Sequence, residues 1–245
     1  MTYTQRTHIR TFSFICSVAV LAVISSIMAY FTSTDAVTNK LVGSQFDIIL
    51  VETKWNPEKA REVLPGDELD KNPQVINNER TDAYVFLRVT VPCDTEMVDN
   101  NNGTPAGTIG ENSRVPMYKF MVSQGTAPET YIVDETLSAK QEVHSHWVLV
   151  NGNNDYTSYN SEKQQYVYVY GYSEDGTSLT PLKKGEITEP LFDKLQLWNF
   201  SDREFESNND HSVKVEALGI QADLPNLTAN NISEIWAILE GGDST

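Results

Sequence analysis

Seven short runs of β-branched and aromatic residues, with turn chemistry between them, constrain the fold of this 245-residue chain more than any other feature. They are Ser44–Glu52, Ala83–Val91, Met117–Ser123, Trp147–Asn151, Gln165–Tyr172, Phe192–Trp198 and Ser212–Gln221. Polar and apolar positions alternate within them, and no long helical period separates them, which favours packed sheets over βαβ units. The pattern predicts an all-β fold in which two antiparallel sheets pack as a β-sandwich. Glu174-Asp175-Gly176 after the fifth run and Asn151-Gly152-Asn153-Asn154 after the fourth carry hairpin signals.

Within the fifth run, Tyr166, Tyr168, Tyr170 and Tyr172 share one strand face, and Val167 and Val169 share the other. The expected role of that tyrosine face is a cross-strand aromatic cluster whose rings cover the sheet while the hydroxyls reach water. An exposed ladder that binds carbohydrate or a neighbouring subunit is the alternative. Asp94–Arg114 and Ser201–His211 read as long exposed loops. Asp99-Asn100-Asn101-Asn102-Gly103 lacks the residue order of an EF-hand calcium loop and reads as a solvated turn. Ile232, Ile235, Trp236 and Leu239 recur at helical spacing, which predicts a short C-terminal helix over Asn230–Glu240, with a final strand as its rival.

The first 29 residues have a different grammar: Arg6 and Arg10, an apolar run from Phe12 to Met28, then the small residue Ala29. This is the order of an export signal, predicted to be cleaved between Ala29 and Tyr30. An uncleaved membrane anchor competes, because the run approaches the ~20 residues that span a bilayer. Cleavage divides the chain into a signal peptide (1–29), an N-terminal segment (30–43) and a single domain (44–245). Contact with a membrane is then confined to the signal segment, and the product is secreted or held at the cell surface.

The signal holds two of the 18 basic residues and none of the 34 acidic ones, so the exported part has a formal charge of −18. Such a chain is repelled by nucleic acid and by anionic lipid, which argues against either as a partner. Cys16 leaves with the signal, and Cys93 alone cannot form an intrachain disulfide. Stability must therefore come from a core. Cys93, beside Pro92 at the end of an apolar strand, reads as an edge-of-core residue or the site of an occasional disulfide dimer.

Chemistry finds little support. His144 and His146 stand two apart, and on a strand that spacing would put both imidazoles on one face, where a third ligand from elsewhere, such as His211 or a carboxylate, could complete a metal site. The bland reading is two surface histidines. No His-Glu-x-x-His helix, Gly-x-Ser-x-Gly elbow, glycine-rich phosphate loop or Cys-x-x-Cys pair occurs. Adjacent carboxylates such as Asp67-Glu68 are abundant and, in so acidic a chain, uninformative. No catalytic residue and no cofactor is assigned.

Several stretches together resemble one family. Ala29-Tyr30-Phe31-Thr32-Ser33-Thr34-Asp35-Ala36-Val37-Thr38-Asn39, then Leu41-Val42-Gly43 and a strand ending in Glu52, is similar to the start of mature TasA and camelysin-type proteins. Leu64-Pro65-Gly66-Asp67, Pro73–Asn78 and Ala83–Val89 continue the likeness. Gly185–Phe192 and Val215–Asp223 resemble the clostridial branch of alternate signal-mediated exported proteins. Leu64-Pro65-Gly66 also reads on its own as a turn, with proline presetting φ and glycine accepting a positive one.

The resemblance implies a jelly-roll-like sandwich, release by a SipW-type signal peptidase, and self-association into biofilm-matrix or surface fibres by donor-strand exchange. The donor would be Tyr30, Phe31, Thr32, Ser33, Thr34, Asp35, Ala36, Val37, Thr38 and Asn39, adding to an open sheet edge of the next copy. The Asn-rich stretch between Cys93 and Pro116 departs from the pattern expected of TasA. The resulting expectation is a non-enzymatic structural protein. Its alternatives are a secreted camelysin-type metalloprotease, with His144 and His146 as ligands, and a monomeric adhesin using its tyrosine face.

Overall fold

The computed structural model describes residues 47–61, 63–94, 115–135, 139–150, 158–160, 165–198, 212–224 and 228–241. The signal and its cleavage site, the donor segment Tyr30–Asn39, all but the first residue of the Asp94–Arg114 loop, the Ser201–His211 loop and the Asn151–Asn154 turn lie outside the described residues.

Twelve strands are described: β1 (Ile48–Val51), β2 (Glu68–Asp70), β3 (Gln74–Asn77), β4 (Ala83–Asp94), β5 (Val115–Pro116), β6 (Tyr118–Ser123), β7 (Tyr131–Val133), β8 (Trp147–Leu149), β9 (Ser158–Asn160), β10 (Gln165–Tyr172), β11 (Lys194–Leu197) and β12 (Lys214–Gln221). All seven predicted runs contain a strand. Ser44–Glu52, Met117–Ser123, Trp147–Asn151, Phe192–Trp198 and Ser212–Gln221 are trimmed at their ends, and Ala83–Val91 extends to Asp94. β2, β3, β5, β7 and β9, of two to four residues each, lie outside those seven runs. One helix, α1 (Ile232–Gly241), follows β12. It takes the place of the rival final strand.

Every strand pairing is antiparallel. The first layer has the order β12-β4-β10-β8, with β5 along the far end of β4 and β9 beside β10. The second consists of β2-β11-β6-β7 and β1-β3. These two pieces are stitched together by the chain between 185 and 197. Its Glu186 carbonyl accepts from Asn77 N (3.2 Å), and its Thr188 and Leu191 amides donate to the Val75 and Pro73 carbonyls (both 2.9 Å). The layers enclose a core drawn from both: Ile48, Leu69 and Phe120 meet Val85, Leu87 and Val89. The all-β sandwich expected from the alternation is the architecture observed.

The tyrosine run shows how alternation is converted into layers. Tyr166, Tyr168, Tyr170 and Tyr172 point between the two sheets and are all buried. Val169, on the opposite face of β10, joins Tyr84, Phe86, Leu218 and Ile220 in a second apolar cluster, which α1 covers with Ile235, Trp236 and Leu239. The central sheet is thus buried on both faces. Asn231 begins the helix: its carbonyl accepts from Glu234 N and Ile235 N (both 3.0 Å), and its side-chain amide donates to the Glu234 carboxylate at 2.8 Å.

Leu64-Pro65-Gly66 is the expected turn, with Gly66 at φ 89° and Asp67 N donating to the Leu64 carbonyl at 3.0 Å. Glu174-Asp175-Gly176 also turns the chain, but no tight hairpin follows. Asp175 instead accepts from the Thr177 and Ser178 amides and both neighbouring serine hydroxyls. These bonds hold its carboxyl far below the ordinary carboxylate range. The chain then returns toward Ala83, which pairs with Leu182.

Candidate functional site

The residues singled out for chemistry are engaged in structure. His144 and His146 lie in the irregular stretch before β8, where no strand alternation applies. His144 Nε2 lies 2.7 Å from Asp193 Oδ2, and His146 Nδ1 lies 2.8 Å from Glu189 Oε2, off the line of a good hydrogen bond. The two rings therefore face separate carboxylates. Among the described residues no group of three ligating side chains could hold a metal, and His211 lies outside them. Asp193 is buried, which pushes its carboxyl up. The Ser123 amide at 2.8 Å, His144 and Lys54 outweigh that effect and hold it below the ordinary value.

The other candidates follow suit. Tyr168 is fully buried, and its hydroxyl donates to the Ala139 carbonyl at 2.7 Å and accepts from Gln141 Nε2 at 3.3 Å. The expectation that these hydroxyls reach water fails at Tyr168, because the opposing layer closes over it. Burial pushes its phenol well above the ordinary tyrosine value. The tyrosine face is core, so it offers no platform to a glycan. Cys93 is buried in the same core, where it offers no sulfur for an intermolecular disulfide. Of the adjacent carboxylates, Asp67 accepts from Leu64 N while Glu68 pairs with Lys194, both within 2.9 Å. No catalytic geometry joins them.

Among the described residues, one side of the sandwich carries no further strand. β12 pairs with β4 along all eight of its residues and with no other strand among those described. Ala222 N donates to Asp82 O at 2.9 Å, so by antiparallel alternation the even-numbered residues of β12 face β4. The N–H and C=O groups of Val215, Ala217, Gly219 and Gln221 consequently point away from the sheet. From Ala217 to Ile220 both faces of the strand are nevertheless dry: Ala217 enters the main core with Val215, while Leu218 and Ile220 lie under α1.

The matching edge of the second layer, among the described strands, is β1. Ile48 reaches over Gly219 so closely that a Cβ there would stand 3.1 Å from Ile48 Cδ1, which places β1 beneath β12. Neither edge was identified from the sequence, since alternation reveals faces and burial but not which strand ends a sheet.

The chain matches no family model, no curated protein and no solved structure. Among the described residues, no helix is long and apolar enough to cross a membrane.

Proposed function

We propose that this protein is an exported, non-enzymatic structural subunit of a biofilm-matrix or cell-surface fibre. Copies assemble when the freed segment Tyr30–Asn39 of one adds as a strand to β12 of the next. The observation that carries the reading is the β12 edge: an eight-residue strand, buried on both faces from Ala217 to Ile220, with a row of outward-pointing backbone groups. Strand addition satisfies such groups, and burial of alternate side chains sets the register. Ten extended residues, at ~3.3 Å each, are long enough to cover it.

A jelly-roll course of the chain belongs to the same proposal. The 187–197 stretch runs beside β3 and β2, and β10 runs beside β4, so successive pairings follow one another like rungs of a folded ribbon. Release at Ala29 by a SipW-type peptidase would free the donor.

Two variants test the proposal by negative-stain microscopy. Deleting Tyr30–Asn39 removes the donor and should leave a folded protein without fibres. Ala217→Pro removes an N–H that faces outward and should have the same effect from the acceptor side, since proline is tolerated on an edge. Fibres that persist in both variants overturn the reading.

A further inference from the structure

A row of three isoleucines crosses the small sheet on its outer face. Ile49 stands directly opposite Ile76, and Ile76 directly opposite Ile187. Ile49 and Ile187 are 37% and 47% exposed, and Ile76 between them is half-buried. The row ends at β1, whose sequence Ile48-Ile49-Leu50-Val51 carries no charge and no proline. Natural edge strands are commonly guarded by such residues. β12, by contrast, bears Lys214 and Glu216, and β2 bears Glu68 and Asp70.

The backbone of β1 has a defined outward set. On β3, Thr188 N donates to Val75 O and Asn77 N donates to Glu186 O, so Val75 and Asn77 spend their backbone groups on the side away from β1. Their opposite numbers, Leu50 and Ile48, therefore direct N–H and C=O to the side of β1 on which no described strand pairs. Outward groups at positions i and i+2 are their own mates under a two-fold axis. Turned about Ile49, a second β1 places its Leu50 against Ile48 and its Ile48 against Leu50, with both hydrogen bonds of each pair made.

We infer that β1 is a self-complementary docking edge at which a second copy of this chain pairs antiparallel, with Ile49 facing its own mate. The two isoleucine rows then join into one stripe of six across a continuous sheet. An acidic chain repels its own copy over most of its surface, and an uncharged edge is where that repulsion is weakest. The interface is isologous, so it closes as a dimer and does not propagate. Because β12 lies over β1, dimer and fibre compete for the same side of the sandwich.

The register supplies the test. Cα atoms facing each other in a non-hydrogen-bonded antiparallel pair are ~4.5 Å apart, within disulfide range, whereas Val51 and its mate would stand ~14 Å apart. Ile49→Cys, at an exposed position, should oxidise nearly completely to a covalent dimer, and Val51→Cys should not. The purified protein should sediment as a dimer and Ile49→Lys as a monomer with unchanged near-UV circular dichroism. A monomeric wild type, or an Ile49→Cys protein that stays uncrosslinked under oxidant, overturns the proposal. The latter is the result expected if the chain preceding residue 47, or a donor strand from a neighbour, occupies β1 instead. The fibre reading is scored separately, by microscopy.

Discussion

Lys71 Nζ sits 2.9 Å from each carboxylate oxygen of Glu52 and 4.1 Å from the centre of the Trp55 ring. Lys71, 1% exposed, lies just after β2, and Glu52 lies just after β1, so the pair ties the two pieces of the second layer together. A buried ion pair adds little over an apolar substitute of the same shape, but removing one member takes a close countercharge from a desolvated ion.

Lys71→Met and Glu52→Gln should each therefore cost ~3 kcal/mol in chemical denaturation. The double variant should recover a substantial part of the loss. A double variant as unstable as the sum of the two would show that the ions make no productive contact.

Lys119 is the second buried lysine, with Nζ donating to the Lys140 carbonyl at 2.9 Å and Trp198 5.6 Å away. Burial lowers its pKa from 10.5 to about 8, partly countered by Asp134. Between these values the unfolded chain holds a proton that the folded chain has released, so folding is favoured as pH rises through the window. Relative to Lys119→Met, the wild type should gain up to ~3 kcal/mol between pH 7.5 and about 10. Comparing the two proteins cancels the buried tyrosines, which act in the opposite direction above their ordinary values. A difference that stays flat across the window would place the ammonium in water.

Gly171 interrupts the tyrosine run because no side chain fits there. A Cβ would stand 2.5 Å from Leu179 Cδ2 and 3.1 Å from Phe86 Cε1, both in the cluster beneath the helix. Gly171→Ala should cost ~1–3 kcal/mol as an overpacked site. Leu179→Val in the same chain should return part of that, since it withdraws the obstructing methyl. Thermal melts of the single and double variants measure both effects.

The tyrosine run also marks what the sequence makes legible. Its two-residue period placed Tyr166, Tyr168, Tyr170 and Tyr172 on one face, and its length located β10 to the residue. Period alone could not say that the opposite face was covered too. That depends on α1 returning from 60 residues later, and on Phe86 and Leu218 from two other strands. The histidines failed for a related reason: two-apart spacing has a geometric meaning only on a strand, and the strand begins at Trp147. The open edges were invisible because an edge is a property of strand order. Strand order is set by distant pairings such as Lys214 with Thr90.

The helix that covers the second cluster is fixed chiefly by Trp236. Its ring lies 5.5 Å from Phe86 and 5.1 Å from the Arg88 guanidinium, which also reaches Glu216 at 3.4 Å. Helices of ten residues are marginal in isolation, so α1 persists because its apolar face is docked. Trp236→Ala should therefore cost ~3–5 kcal/mol by removing a large buried ring. The loss should show first as local undocking: amide protection should fall in α1 and along β12 while β6 and β11, in the other layer, keep theirs. Glu216→Gln leaves the ring in place, removes only a half-exposed ion pair, and should stay within ~1 kcal/mol of the wild type. If hydrogen exchange instead collapsed uniformly across both layers of the Trp236→Ala protein, the helix would be part of a single cooperative core and not a docked cover.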